Sequence, residues 1–237
     1  MKKNLLYGVL LLSLVSCAGD AEDPKPVTTA AFTSSRSVVE VNEPVAFTDA
    51  SQHAERYLWD FGNGQTSTLA APSITYAATG TYTVSLTTYT ADNQPTSTTQ
   101  SIKVGKRYLR EIQIKALDFL APDGTSWDAG GTGPDVFLQL RPTSATEAPY
   151  AKTSVFNNVK PADLPLAFAA SAELTPGEWT VVVRDEDSAS DDKMREWSLP
   201  VAGPTPNRDA QGNGYYTLQG PSDNPSAWSV ILRYETR

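Results

Sequence analysis

The stretch Thr81-Tyr82-Thr83-Val84-Ser85-Leu86-Thr87 alternates a hydroxyl side chain with an apolar one, without exception. A period of two puts Tyr82, Val84 and Leu86 on one face of an extended segment and the hydroxyls on the other, which is the pattern of a half-buried β-strand. Short runs of the same kind recur at Val38-Val39-Glu40-Val41, Val45-Ala46-Phe47-Thr48 and Tyr57-Leu58-Trp59-Asp60, broken by Gly, Pro, Asp and Asn. From Gly105 onward eight more candidate strands can be laid out: 108–117, 136–140, 151–156, 166–170, 178–184, 194–200, 215–218 and 227–234. No segment has a persuasive helical period. The expected fold class is therefore all-β, two tandem β-sandwiches, the first over residues 31–104 and the second, eight-stranded, over 105–237. With 237 residues the chain is long enough for two cores.

The N-terminus reads differently. Lys2 and Lys3 precede an apolar run, Leu5 to Val15, that is too short to stay in a bilayer as a spanning helix. Residues 1–16 are expected to be a cleaved leader. Leu14-Val15-Ser16-Cys17 resembles the bacterial lipobox, which implies lipidation of Cys17 and attachment of the chain to the outer membrane. The acidic run that follows, Asp20 to Asp23, resembles the surface-export signal of Bacteroidota lipoproteins, and residues 17–30 read as a Pro- and Thr-rich tether. Cys17 is the only cysteine, so the chain can form no disulfide within itself and no cysteine-based zinc site. The net charge is -8, and two charges more acidic once Lys2 and Lys3 are removed, which excludes a phosphate-tracking nucleic-acid binder.

Two loops of the second sandwich concentrate acids. Arg184-Asp185-Glu186-Asp187 through Asp191-Asp192 follows an alternating run in which Trp179, Val181 and Val183 share a face with Asp185 and Asp187, so that face turns from apolar to carboxylate. Carboxylates at i and i+2 repel unless a cation sits between them, and Ca²⁺, which takes six to eight hard oxygen ligands, is the usual one. A solvated acidic turn is the plain alternative. The other loop, 118–135, which comes first in the chain, is long and glycine-rich and carries Asp118, Asp123, Asp128 and Asp135 without a base. A loop of that length in a compact domain is usually functional or disordered. In a sandwich the two connections can emerge at one end.

Two family resemblances cover most of the chain. Trp59-Asp60-Phe61-Gly62-Asn63-Gly64, with Tyr76, Gly80, Tyr82, Val84 and Leu86 after it, resembles the PKD domain, an Ig-like sandwich; Asn63 stands where that family often has Asp, and either residue suits the tight turn. The resemblance implies a spacer or interaction module, with Trp59 and Phe61 in the core. In the second sandwich, Gly133-Pro134-Asp135-Val136, Lys152-Thr153-Ser154-Val155 and Val181-Val182-Val183-Arg184-Asp185-Glu186-Asp187 with Asp192 resemble, in order, three segments of the C2 domain in its type II strand order. That resemblance implies Ca²⁺ ligation by Asp135, Asp185, Asp187 and Asp192, with Asp128 as the further first-loop carboxylate. Asp118 and Asp123 are weaker candidates, and Asp191 competes with Asp192. It also implies that Phe119, Leu120 and Trp127 either insert into a membrane or ligand or pack the long loop against the sandwich.

These features point to a surface lipoprotein with a PKD spacer and a Ca²⁺-dependent binding or adhesion domain, whose partner is a protein, a phospholipid or a glycan. A structural subunit of an envelope assembly is one alternative. A carbohydrate-binding accessory protein is another, with Trp127, Tyr215, Tyr216 and Trp228 as candidate stacking residues. Catalysis is not expected: His53 is the only histidine, which removes a Ser-His-Asp set, and there is no Gly-rich phosphate loop.

Overall fold

The computed structural model describes residues 29–128, 131–144, 151–187, 191–203, 207–221, 224 and 227–237. The leader, Cys17 and nearly all of the tether lie outside the described residues. Sixteen β-strands and one 3₁₀ turn (Pro161–Asp163) are formed by the rest, and they build two β-sandwiches.

The first sandwich packs a three-stranded sheet against a five-stranded one. The small sheet holds β1 (Phe32–Ser34), β3 (Pro44–Asp49) and β6 (Ser73–Thr75) in the order β1-β3-β6. The larger runs β2-β8-β7-β4-β5, from β2 (Val38–Glu40), β4 (Arg56–Asp60), β5 (Thr66–Ser67), β7 (Gly80–Tyr89) and β8 (Pro95–Gly105). Trp59, fully buried, is the centre of the core: Phe32 meets its ring edge-on at 5.1 Å, Phe61 stacks at 6.4 Å, and its indole N–H donates to the Leu69 carbonyl at 2.8 Å. Burying a tryptophan this large stabilises a fold only if that polar N–H finds a partner, as it does here. Gly62, at φ 72°, is required by close approach, since a Cβ there would lie 2.7 Å from the Thr83 carbonyl oxygen. β8 carries hardly any apolar signal, with only Ile102, Val104 and Gly105 buried; it forms because its whole length pairs with β7, Gly80 opposite Val104 through Tyr89 opposite Pro95.

The second sandwich has two four-stranded antiparallel sheets, and its eight strands overlap the eight expected segments. One sheet runs β11-β10-β13-β14, from β10 (Val136–Pro142), β11 (Ala151–Lys152), β13 (Gly177–Asp185) and β14 (Asp192–Val201). The other runs β12-β9-β16-β15, from β9 (Arg107–Ala116), β12 (Leu166–Glu173), β15 (Gly214–Gln219) and β16 (Ser229–Thr236). Inward residues of both sheets, among them Ile112, Ile114, Leu138, Leu140, Val181, Val183, Val230 and Leu232, form one core. Of the segment 151–156, only Ala151 and Lys152 belong to a strand; Phe156 makes a lone bridge to Val136.

The two sandwiches meet through buried charge. β8 ends at Gly105 and β9 starts at Arg107, so a single residue, Lys106, joins the domains. Glu40 and Glu43 of the first domain receive Arg107 and Arg208 of the second: Arg107 contacts both Glu40 carboxylate oxygens at 2.9 and 2.8 Å, and Arg208 Nη2 reaches Glu43 at 2.6 Å. Arg107 and Arg208 are 3% and 6% exposed, so these pairs are desolvated and depend on one another. Arg107 also lies over the Tyr234 ring at 4.8 Å and donates to the Tyr216 hydroxyl and, at 2.7 Å, to the Gly203 carbonyl.

Candidate metal centre

The apolar alternation of β13 continues one step too far, and that step makes the site. Trp179, Val181 and Val183 point into the core, and Asp185, next in the same phase at the end of the strand, is carried inward with them to 0% exposure. Its backbone pairs with Val136 of β10 on one side and Asp192 of β14 on the other. One carboxylate oxygen, Oδ1, accepts the Asp135 backbone N–H at 2.6 Å. The other, Oδ2, is buried and has no hydrogen-bond partner among the described residues. A buried carboxylate oxygen left unpaired is costly, and such groups in native proteins usually mark a bound ion, a water or a catalytic role.

Asp128, Asp185 and Asp187 stand together, each offering a carboxylate oxygen within 4.8 Å of the others. Among the described residues no Lys or Arg makes an ion pair with any of the three. The bases close by are committed elsewhere: Arg184 donates to the Gln139 side chain and the Asp191 carbonyl, and Lys152 pairs with Glu186. Burial, the largest cause, and then the neighbouring charges of Asp128, Asp187 and Asp135 push the Asp185 pKa up to about 6, against the opposing backbone hydrogen bond from Asp135. Asp187 is also raised, by desolvation first and then by Asp192, Asp128, Asp191 and Asp135.

The other candidates take graded places around this trio. Asp135 is a brace: its Oδ1 accepts the Asn158 N–H at 2.6 Å, and its carbonyl accepts the Glu186 N–H at 2.8 Å, tying the 118–135 loop to both the acidic segment at the end of β13 and the segment after β11. Asp191 and Asp192 lie close enough to act on the charge of Asp187. Asp118 and Asp123 are not part of the trio and shape their own turns, Asp118 accepting from Leu120 N–H at 3.4 Å and Asp123 from both the N–H and the hydroxyl of Thr125. Gly133 shows why this end is so tightly closed. A Cβ at that position would lie 1.9 Å from the Val159 carbonyl oxygen, so only glycine lets the first loop run against that backbone. Asn158, at φ 52°, and Gly133 were not among the sequence candidates, although the pairing of glycine with a following Pro-Asp is visible there.

The apolar candidates separate as well. Phe119 and Trp127 pack against the core of the second sandwich, and the Trp127 indole donates to the Asp118 carbonyl at 3.0 Å. Leu120 alone projects, 53% exposed. Of the candidate stacking residues, Trp228 is buried against Trp197 and Tyr216 is engaged by Arg107, leaving Tyr215 exposed.

All the donors at the centre are carboxylate oxygens, a hard set without nitrogen or sulfur. Such a set fits Ca²⁺ and other oxygen-seeking divalent cations rather than Zn²⁺ or Cu²⁺.

The chain is a tandem of β-sandwiches, and residues 23–104 match the PKD domain family. Its N-terminal domain is a PKD domain. Over 98 residues it is 39% identical to the pre-pro-metalloprotease PrtV of Vibrio cholerae serotype O1, a match that takes in 41% of this chain and 10% of that protein. The crystal structure of the PKD1 domain of the same metalloprotease is 35% identical, covering 33% of this chain and 98% of that domain with a TM-score of 0.30. The chain thus spans about a tenth of the length of the curated relative it matches. A solved C2 domain is similar at 15% identity over 56% of this chain and 96% of that one, with a TM-score of 0.34.

Proposed function

We propose that this protein is a cell-surface binding module in which the second sandwich holds Ca²⁺ between its loops and uses the ion to engage a partner. The observation that carries the reading is the Oδ2 atom of Asp185, fully buried, unpaired, and next to two further carboxylates. In the ion-bound form Asp185, Asp187 and Asp128 are the central ligands, with Asp135 and Asp192 at the rim. The ion supplies the positive charge that the cluster lacks and joins the 118–135 loop to the acidic segment at the end of β13.

The lipobox-like segment ending in Cys17 supports attachment to an outer membrane through lipid. Strand direction then bears on the partner. β8 runs from Pro95 toward the domain junction and β9 runs on from it to Ala116, so the acid loops lie at the opposite end of this path from the first domain. Thr29, where the described chain begins, bridges to Gln52, and the neighbouring Glu55 N–H donates to the Tyr89 carbonyl at the start of the β7–β8 turn, the end remote from the junction. An anchored molecule therefore holds the acid loops away from its own membrane, which favours a partner outside that bilayer over its phospholipids.

Thermal unfolding in millimolar Ca²⁺ against chelator tests the proposal. The wild-type chain should gain stability by about 2.7 kcal/mol at a hundredfold excess of Ca²⁺ over Kd. Asp185→Asn and Asp187→Ala should abolish the gain, and equal melting in both media would refute the calcium reading.

A further inference from the structure

A second site is suggested on the other sheet, in the half of the domain nearest the PKD sandwich. The outward face of β12-β9-β16-β15 forms a cleft of about 650 Å³, lined by Arg110, Glu111, Ala167, Ala169, Tyr215 and Arg233. That volume falls within the roughly 300–1,000 Å³ of small-ligand sites.

The cleft depends on a break in the sheet. Arg233 of β16 pairs with Glu111 of β9, and the next residue, Tyr234, pairs with Leu109, so Arg110 is an extra residue with no partner in β16. The β12 ladder shifts register at the same place, between Ala169 and Ala172. In a regular strand Arg110 and Glu111 would face opposite ways. The bulge turns both outward into the cleft, and bulges of this kind are concentrated where a side chain is re-aimed beside a site. Two alanines, Ala167 and Ala169, leave the floor low, and Tyr215, 38% exposed, stands at the rim.

One wall is the segment before β15, and it is fixed from two sides. Asp209 accepts the N–H groups of Gln211 and Asn213 at 2.9 and 2.8 Å, and Arg208 is buried in the ion pairs with the PKD domain. The wall is therefore set in advance of any ligand, which lowers the ordering cost of binding.

We propose that this cleft binds an oligosaccharide. Each cation in it has a carboxylate beside it, Arg233 with Glu111 at 3.5 Å and Arg110 with Glu235 at 3.6 Å, and the further carboxylate of the lining, Asp209, is engaged by Asn213 and backbone N–H groups, so the charges are already answered and the cleft suits neither a phosphate nor a metal ion. What it offers is a row of planar donors and acceptors next to one accessible aromatic face. Neutral polyhydroxylated rings match that row, with hydroxyls that both donate and accept and an apolar C–H face that rests on Tyr215.

The experiment titrates the full chain by calorimetry with cellohexaose, xylohexaose, laminarihexaose and chitohexaose in turn. At least one should bind saturably, and Tyr215→Ala should weaken it about tenfold while leaving the melting temperature unchanged. Binding should persist in chelator and in Asp185→Asn, which separates this site from the calcium reading. The proposal is overturned if none of the four binds at millimolar concentration, or if binding is untouched by both Tyr215→Ala and Arg110→Ala. Concentration-dependent self-association abolished by Tyr215→Ala would likewise overturn it, by making the face a protein–protein contact.

Discussion

Asp185 is where the alternation of β13 and the demands of solvation conflict. A strand whose inward positions are Trp179, Val181 and Val183 delivers the next inward residue to the core edge whatever its chemistry, and here that residue is a carboxylate. Its proton is held to about pH 6 in the folded chain against an ordinary value of 3.8. Between those two values the folded state binds more protons than the unfolded state, so stability falls as pH rises through this window and stays low above it. The full effect is about 3 kcal/mol. In chelator, Asp185→Asn keeps the acceptor for the Asp135 N–H and removes the buried charge. Relative to wild type it should be progressively more stable from pH 4 to 6 and level off beyond, as read by urea unfolding at several pH values. A constant difference across that range would show that Asp185 does not titrate in this way.

At the scale of elements, the loop end of the second sandwich is held by backbone contacts that leave no room for variation. Val159 N–H donates to the Pro134 carbonyl at 2.9 Å, and the Gly133 backbone touches the Val159 carbonyl. Gly133→Ala must push this carbonyl aside and should cost at least about 2 kcal/mol, with Ca²⁺ stabilisation reduced in the same protein; thermal unfolding with and without the ion measures both. Much of this end could be read from residue order: the acids of 118–135 and 185–192 stood out as clusters, and the eight strands of the domain followed from alternation. The choice among the acids was less legible. Asp118, Asp123 and Asp128 look alike by residue type, and only the C2 resemblance ranked Asp128 ahead of the other two; the path of the chain brings Asp128 to Asp185 while Asp118 and Asp123 cap their own turns. β8 escaped for a different reason: threonine and serine carry no burial signal, and this strand is held by pairing with β7. The bulge at Arg110 has no signature in composition at all.

For the whole molecule, the PKD domain is docked on its neighbour rather than strung beside it. The contact joins Glu40 and Glu43 to Arg107 and Arg208, residues up to 168 positions apart that nothing in the sequence links, which is why a plain spacer was the natural expectation. Removing Glu43 takes away the shorter of the two carboxylate contacts of the buried Arg208 and leaves it only Glu40, at 3.3 Å; loss of a partner from a desolvated pair costs up to about 3–5 kcal/mol. Glu43→Ala should therefore split a single unfolding transition into two in calorimetry, with the second sandwich losing part of its stability; one unchanged transition would contradict the coupling.

Whether the acid loops hold Ca²⁺ is decided by a calorimetric titration of the ion into the metal-stripped full chain, with Asp185→Asn alongside. The wild type should give a saturable heat with Ca²⁺ and little response to Mg²⁺ at the same concentration, and the variant none. No heat in the wild type, or the same heat in Asp185→Asn, would overturn Ca²⁺ binding at this cluster.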